Sequence, residues 1–99
     1  MKEIDQLAKS IKLNFNCPRC GKHVGYIIDN FPQPDLLAEN FADSIVSDST
    51  QIQCLSCKKE TFDVEMFAGN GDKNLTISNS NSPYPINEED VEIIVINTI

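Results

Sequence analysis

The sequence is poor in the groups on which catalysis depends. Its 99 residues contain one histidine and four cysteines, and none of G-x-S-x-G, H-E-x-x-H or a glycine-rich phosphate loop occurs. Asp and Glu are plentiful but fall at positions that read as solvent-facing, so we expect a protein that is not an enzyme. No apolar run approaches the roughly 18 residues that suggest a membrane span. Charges in Met1-Lys2-Glu3-Ile4-Asp5 stand where a signal peptide would place its hydrophobic region. These two absences make a cytoplasmic protein, with no membrane association, the expectation.

Basic residues are also scarce, and unevenly so. Residues 1 to 22 carry five of the eight Lys and Arg, against Glu3 and Asp5. Residues 23 to 57 carry none, against Asp29, Asp35, Glu39, Asp43 and Asp48. From Lys58 onward three lysines face eight acids, and the whole chain has a formal charge of −7. Duplex nucleic acid is bound through several Lys or Arg contacts to phosphate. Only Lys9, Lys12, Arg19 and Lys22 could supply them, with Phe15 or Tyr26 as stacking groups. Most of this molecule would repel a phosphate backbone.

What is present is concentrated in two short stretches, Cys17-Pro18-Arg19-Cys20-Gly21-Lys22 and Cys54-Leu55-Ser56-Cys57-Lys58-Lys59, which hold every cysteine. Two residues between cysteines let the backbone fold into a tight knuckle whose sulfurs converge on one cation. Two knuckles supply the four thiolates of a closed tetrahedral site with no open position for water or substrate. Cys17, Cys20, Cys54 and Cys57 therefore read as ligands of one structural metal ion, Zn²⁺ by preference. A dithiol redox pair, two disulfides and a rubredoxin-like iron centre are the other readings of four cysteines. A redox pair would need a βαβ setting that this chain does not offer, and cytosolic thiols stay reduced. Gly21 suits a turn with positive φ, whereas Lys58 takes the corresponding place in the second knuckle. His23 is expected at the surface or beside the site, since four sulfurs suffice.

From Phe15 to about Val64 the chain resembles the zinc-ribbon class of small four-cysteine domains, on the strength of the cysteines with Pro18 and Gly21. That resemblance implies two β-hairpins joined through their metal-binding turns. It implies no single function, because the class includes nucleic-acid binders, enzyme accessory modules and protein-interaction modules.

Periodicity fills in the rest of a single domain over residues 1–99. Ile4, Leu7 and Ala8 have helical spacing, which suggests a short helix over 2–9. Ile11, Leu13 and Phe15 alternate with polar residues into the first knuckle, and Val24, Tyr26 and Ile28 mark the return strand. Phe31-Pro32-Gln33-Pro34 breaks the sheet, and Asp35 is a candidate N-cap. Leu37, Ala38, Phe41, Ala42, Ile45 and Val46 then share half a helical wheel, which predicts an amphipathic helix over 36–47 between the knuckles. Phe62, Val64 and Met66 alternate with Asp63 and Glu65, residues 68–72 suit a tight turn, and Leu75 and Ile77 mark a partner strand. Asn79 to Pro85 has loop composition. Val91 to Ile96, β-branched with one charge, reads as a central strand or one buried on both faces; at an edge it would invite another chain to pair. The expected fold is α+β: a β-rich zinc ribbon, an inserted amphipathic helix and a C-terminal antiparallel sheet extension.

An acidic, catalytically empty small domain fits protein binding. In size and acidity the chain is similar to bacterial antitoxins and contact-toxin immunity proteins, a likeness of composition. That likeness implies an inhibitor of a basic partner such as a toxin nuclease, with Glu39, Asp43, Asp63, Glu65, Glu88, Glu89 and Asp90 as candidate contact residues. The alternative is a nucleic-acid-binding ribbon or accessory subunit acting through the Lys9 to Lys22 region.

Overall fold

Side chains buried and less buried alternate without a break over residues 61–69 and 72–78, and that period builds strands. The computed structural model describes residues 2–29, 31, 45–69 and 72–98. Within these the strands are β1 (Lys2–Ile4), β2 (Ala8–Asn16), β3 (His23–Ile28), β4 (Ile45–Gln53), β5 (Thr61–Gly69), β6 (Asp72–Ser78) and β7 (Glu92–Thr98). They form two antiparallel sheets, one ordered β1-β6-β5-β4 and the other β3-β2-β7. Each cysteine knuckle is the turn of a hairpin, β2–β3 for the first and β4–β5 for the second.

The sheets share one core. Ile11, Leu13 and Phe15 of β2 meet Ile52 of β4, Phe62, Val64 and Met66 of β5, and Leu75 and Ile77 of β6 in a single buried cluster that also takes in Cys17 and Cys54. Phe15 and Phe62 pack edge to face, with centroids 4.9 Å apart, a geometry that adds about 0.5–1.5 kcal/mol beyond the area it buries. Ionic groups are rare inside. Lys73 is 4 % exposed; its Nζ donates to the Ala8 carbonyl at 2.7 Å and lies 5.4 Å from the centroid of the Phe31 ring.

Three expectations are corrected. The fold class is not α+β: among the described residues there is no α-helix, and the only helical element is a 3-10 turn at Glu88–Asp90. Residues 36–44 of the expected amphipathic helix lie outside the described residues, while its last turn, residues 45–47, begins β4. Nine residues of β4 pair continuously with β5, from Ile45 opposite Gly69 to Gln53 opposite Thr61. That ladder satisfies the backbone over a longer span than one helical turn could, and overrides the helical period. The expected N-terminal helix is likewise absent. β1 pairs with β6, the Asp5 side chain accepts from the Leu7 N–H at 2.8 Å to hold a turn, and β2 starts at Ala8.

The third correction concerns the C-terminal run. β7 is neither central nor buried on both faces. It is the edge strand of the three-stranded sheet, with Ile94 43 %, Val95 39 % and Ile96 50 % exposed. Only Val91, just before it, and the half-buried Ile93 reach the core. A three-stranded sheet has one inner strand, and β2 occupies that place, paired with β3 on one side and β7 on the other.

The hairpin between β5 and β6 follows the sequence closely: Gly69 pairs with Asp72, so two residues, 70 and 71, connect the strands. Residues 79–91 cross from the four-stranded sheet to β7. This crossing is ordered, because the Asn79 side chain donates to the Tyr84 carbonyl and accepts from the Ile86 N–H. No helix among the described residues is long and apolar enough to cross a membrane.

Candidate metal centre

The two knuckles are built alike. In the first, the Cys17 N–H donates to the Lys22 carbonyl and the Gly21 N–H to the Cys17 carbonyl, both at 2.8 Å. In the second, the Cys54 N–H donates to the Glu60 carbonyl at 3.0 Å and the Lys58 N–H to the Cys54 carbonyl at 2.8 Å. Gly21 and Lys58 occupy equivalent positions, and both have positive φ, 76° and 58°. The left-handed residue that the sequence supplies as glycine in one knuckle is lysine in the other, held there by the same backbone bond.

These turns bring together all four cysteines, as the spacing predicts. Their sulfurs lie within 4.8 Å of one another, with Cys17 Sγ 4.0 Å from Cys57 Sγ and Cys20 Sγ 3.6 Å from Cys54 Sγ. A tetrahedral ion with metal–sulfur bonds of about 2.3 Å needs sulfur separations of about 3.8 Å. The two contacts between knuckles bracket that value, and no other separation exceeds 4.8 Å, within about 1 Å of it. All four thiols are free, at distances far beyond the roughly 2.05 Å of a disulfide. The four cysteines can hold one metal ion, and the donor set suits zinc or iron.

Burial of the site is uneven. Cys17 and Cys54 are buried, Cys57 is half-buried and Cys20 is exposed. Burial pushes the Cys17 thiol up to about 12, against the N–H groups of Cys20 and Arg19 that point at its sulfur. Burial also pushes Cys54 up, but the N–H groups of Cys57 and Ser56 and the thiols of Cys20 and Cys57 outweigh it and bring Cys54 down to about 7. A metal must therefore displace protons from this cluster to bind, which makes its affinity pH-dependent.

Beside the sulfurs lies a polar cluster that the sequence does not announce. Glu60 is 2 % exposed, and its carboxylate accepts from Arg19 Nε at 2.7 Å, Ser82 Oγ at 2.7 Å and Asn79 Nδ2 at 2.9 Å. Arg19 also lies over the Tyr84 ring, 5.0 Å from its centroid. Bonds from Ser82, Arg19 and Asn79 hold the Glu60 carboxyl below the usual carboxylate range, and Glu60 raises Arg19 in turn. Glu60 has no periodic or motif signal. Its neighbours come from the first knuckle and from a loop more than fifteen residues away, so only folding brings them together.

The other candidate residues are dispersed. His23 is exposed at the start of β3 and takes no part in the sulfur cluster. Of the four basic residues of the Lys9 to Lys22 region, Lys12 sits on β2 opposite Ile27 and Ile94, and Arg19 is engaged by Glu60. Asp63 and Glu65 are exposed on β5, opposite Gln51 and Ser49 of β4 and opposite Ser78 and Thr76 of β6. Glu88, Glu89 and Asp90 form the 3-10 turn. Glu39 and Asp43 lie outside the described residues.

No protein-family model matches the chain, and no curated protein or solved structure matches it either.

Proposed function

We propose that this chain is a non-catalytic, zinc-stabilised protein-binding domain that acts as an acidic inhibitor or immunity-type protein towards a basic partner. The observation that supports it is the outer face of the four-stranded sheet. The paired register sets Asp63, Glu65, Asp72 and Glu3 on that face, all exposed; Asp63 and Glu65 stand among Gln51, Ser49, Ser78 and Thr76, the rows of Glu3 and Asp72 include Phe67, Gly69 and Ile45, and no row holds a Lys or Arg. A flat face carrying one sign of charge attracts a basic surface at long range and disfavours acidic ones. Zinc fits the four thiolates as a structural ion with every coordination position filled, which leaves the metal no catalytic role. Its contribution is to hold the β4–β5 hairpin, which carries Asp63 and Glu65, to the hairpin of the other sheet.

The test is capture of partners from the native cell with tagged protein, half of the sample treated with nuclease, followed by mass spectrometry. The expected outcome is a basic protein near one-to-one, unaffected by nuclease and lost in Asp63→Lys/Glu65→Lys. Recovery that vanishes with nuclease would replace this reading with nucleic-acid binding.

A further inference from the structure

The sulfur cluster is assembled from two hairpins belonging to different sheets. The shared core packs the hairpins together beneath the sulfurs, with Phe15 on Phe62, but no strand pairing joins them, because β3 and β4 are edges of separate sheets. One side chain does reach both knuckles. Arg19 lies between Cys17 and Cys20 on the first, and Glu60 closes the second by accepting the Cys54 N–H through its backbone carbonyl. The Arg19–Glu60 bond at 2.7 Å therefore ties knuckle to knuckle, and it is charge-assisted and half shielded from water. The same carboxylate takes Ser82 and Asn79 of the crossing segment, and Arg19 stacks on Tyr84 of that segment.

We propose that Glu60 is the positioning residue of the metal centre: it fixes the separation of the two knuckles, and through it the crossing segment 79–86 is coupled to metal binding. This rests on the reading of the cysteines as one metal site. Glu60 contributes no ligand atom, since it lies outside the cluster of candidate ligands. It acts by preorganisation: with the clamp intact, four sulfurs stand near their bound positions before the ion arrives; without it, binding must also order the hairpins against each other. Residues that orient ligands from outside the coordination sphere typically change metal affinity about 10–100-fold. Coupling is reciprocal, so metal must stabilise the crossing segment as much as the segment stabilises metal.

Zn²⁺ affinity, measured by competition with a chromophoric chelator, tests this in the wild type, Glu60→Gln, Ser82→Ala and Asn79→Ala, with Asp29→Asn, at an exposed position, as a surface control. Co²⁺ loaded into each reports the four-thiolate ligand set through its absorption spectrum. The expected result is about 10–100-fold weaker binding in Glu60→Gln with an unchanged Co²⁺ spectrum, smaller losses in Ser82→Ala and Asn79→Ala, and none in the control. Amide hydrogen exchange over 79–86 should slow on metal addition in the wild type and respond little in Glu60→Gln. If Glu60→Gln does not fold, the two alanine variants, which remove one bond each from the carboxylate, decide the matter. Affinities indistinguishable from wild type in all variants, or a loss accompanied by an altered Co²⁺ spectrum, overturn the proposal while leaving the metal site intact. A wild-type chain that takes up no metal overturns both.

Discussion

At residue scale the knuckles separate what a side chain contributes from what its backbone costs. A Cβ at Gly21 would meet nothing within 4 Å, so Gly21→Ala tests torsion alone, and its φ of 76° sets the cost at about 1–2 kcal/mol. Lys58 already bears that strain at 58°. Lys58→Gly should therefore raise stability by about 0.5–1 kcal/mol in urea denaturation of the metal-loaded protein, the relief being partly offset by the entropy of a glycine in the unfolded chain. Lys73 offers a pH test. Burial lowers its native pKa, which Asp5 only partly offsets. Between that lowered value and the unfolded value near 10.4 the unfolded chain binds more protons, so stability rises with pH through the window. Denaturation midpoints measured from neutral to about pH 10 should show the rise in wild type and lose it in Lys73→Met. Gly21 was legible in the sequence as a left-handed turn residue. Lys58 and Glu60 were not, because their roles follow from bonds to Cys54, Arg19 and the crossing segment.

Among the elements, alternation was a sound guide wherever one face is buried. Ile11, Leu13 and Phe15, then Phe62, Val64 and Met66, then Leu75 and Ile77 were legible as strands, and all face the core. Pattern failed where two periods fit the same residues. Ile45 and Val46 satisfy a helical wheel, yet they pair in β4, a choice made by the β5 strand waiting opposite. The β-branched run of β7 carried a hydrophobic signal without its usual meaning, since an edge position leaves it half in water. Two substitutions measure the contrast. Leu13→Ala, at a fully buried site, should cost about 2–5 kcal/mol, and Ile96→Thr, at 50 % exposure, should stay within about 0.5 kcal/mol. Paired denaturation curves check both; a large loss from Ile96→Thr would mean that β7 is covered in solution.

At the scale of the whole molecule, the proposed metal and the net charge carry the predictions. A tetrathiolate zinc site contributes on the order of 10 kcal/mol to folding in small domains, comparable to the total stability of a chain this size. Strong chelation should abolish the cooperative melt, Cys54→Ser should do the same, and elemental analysis should find about one zinc per chain. A metal-free sample with an unchanged melt would remove the site from the folding argument. Four thiolates around a dication add about −2 to the formal −7 of the chain, so partner association through the acidic sheet face should weaken as salt is raised. Titrating a captured complex with salt checks this.

The sequence by itself determined the grouping of the four cysteines and three of the strands around them, β2, β3 and β5, because two-residue spacing and period-two alternation are local. Only the tertiary structure decided the strand order, the edge position of β7, the strand at residues 45–53 and the clamp from Glu60 to Arg19 and the crossing segment. Those depend on which backbone or carboxylate stands opposite, and partners far apart in the chain are chosen by the packing of two sheets on one core.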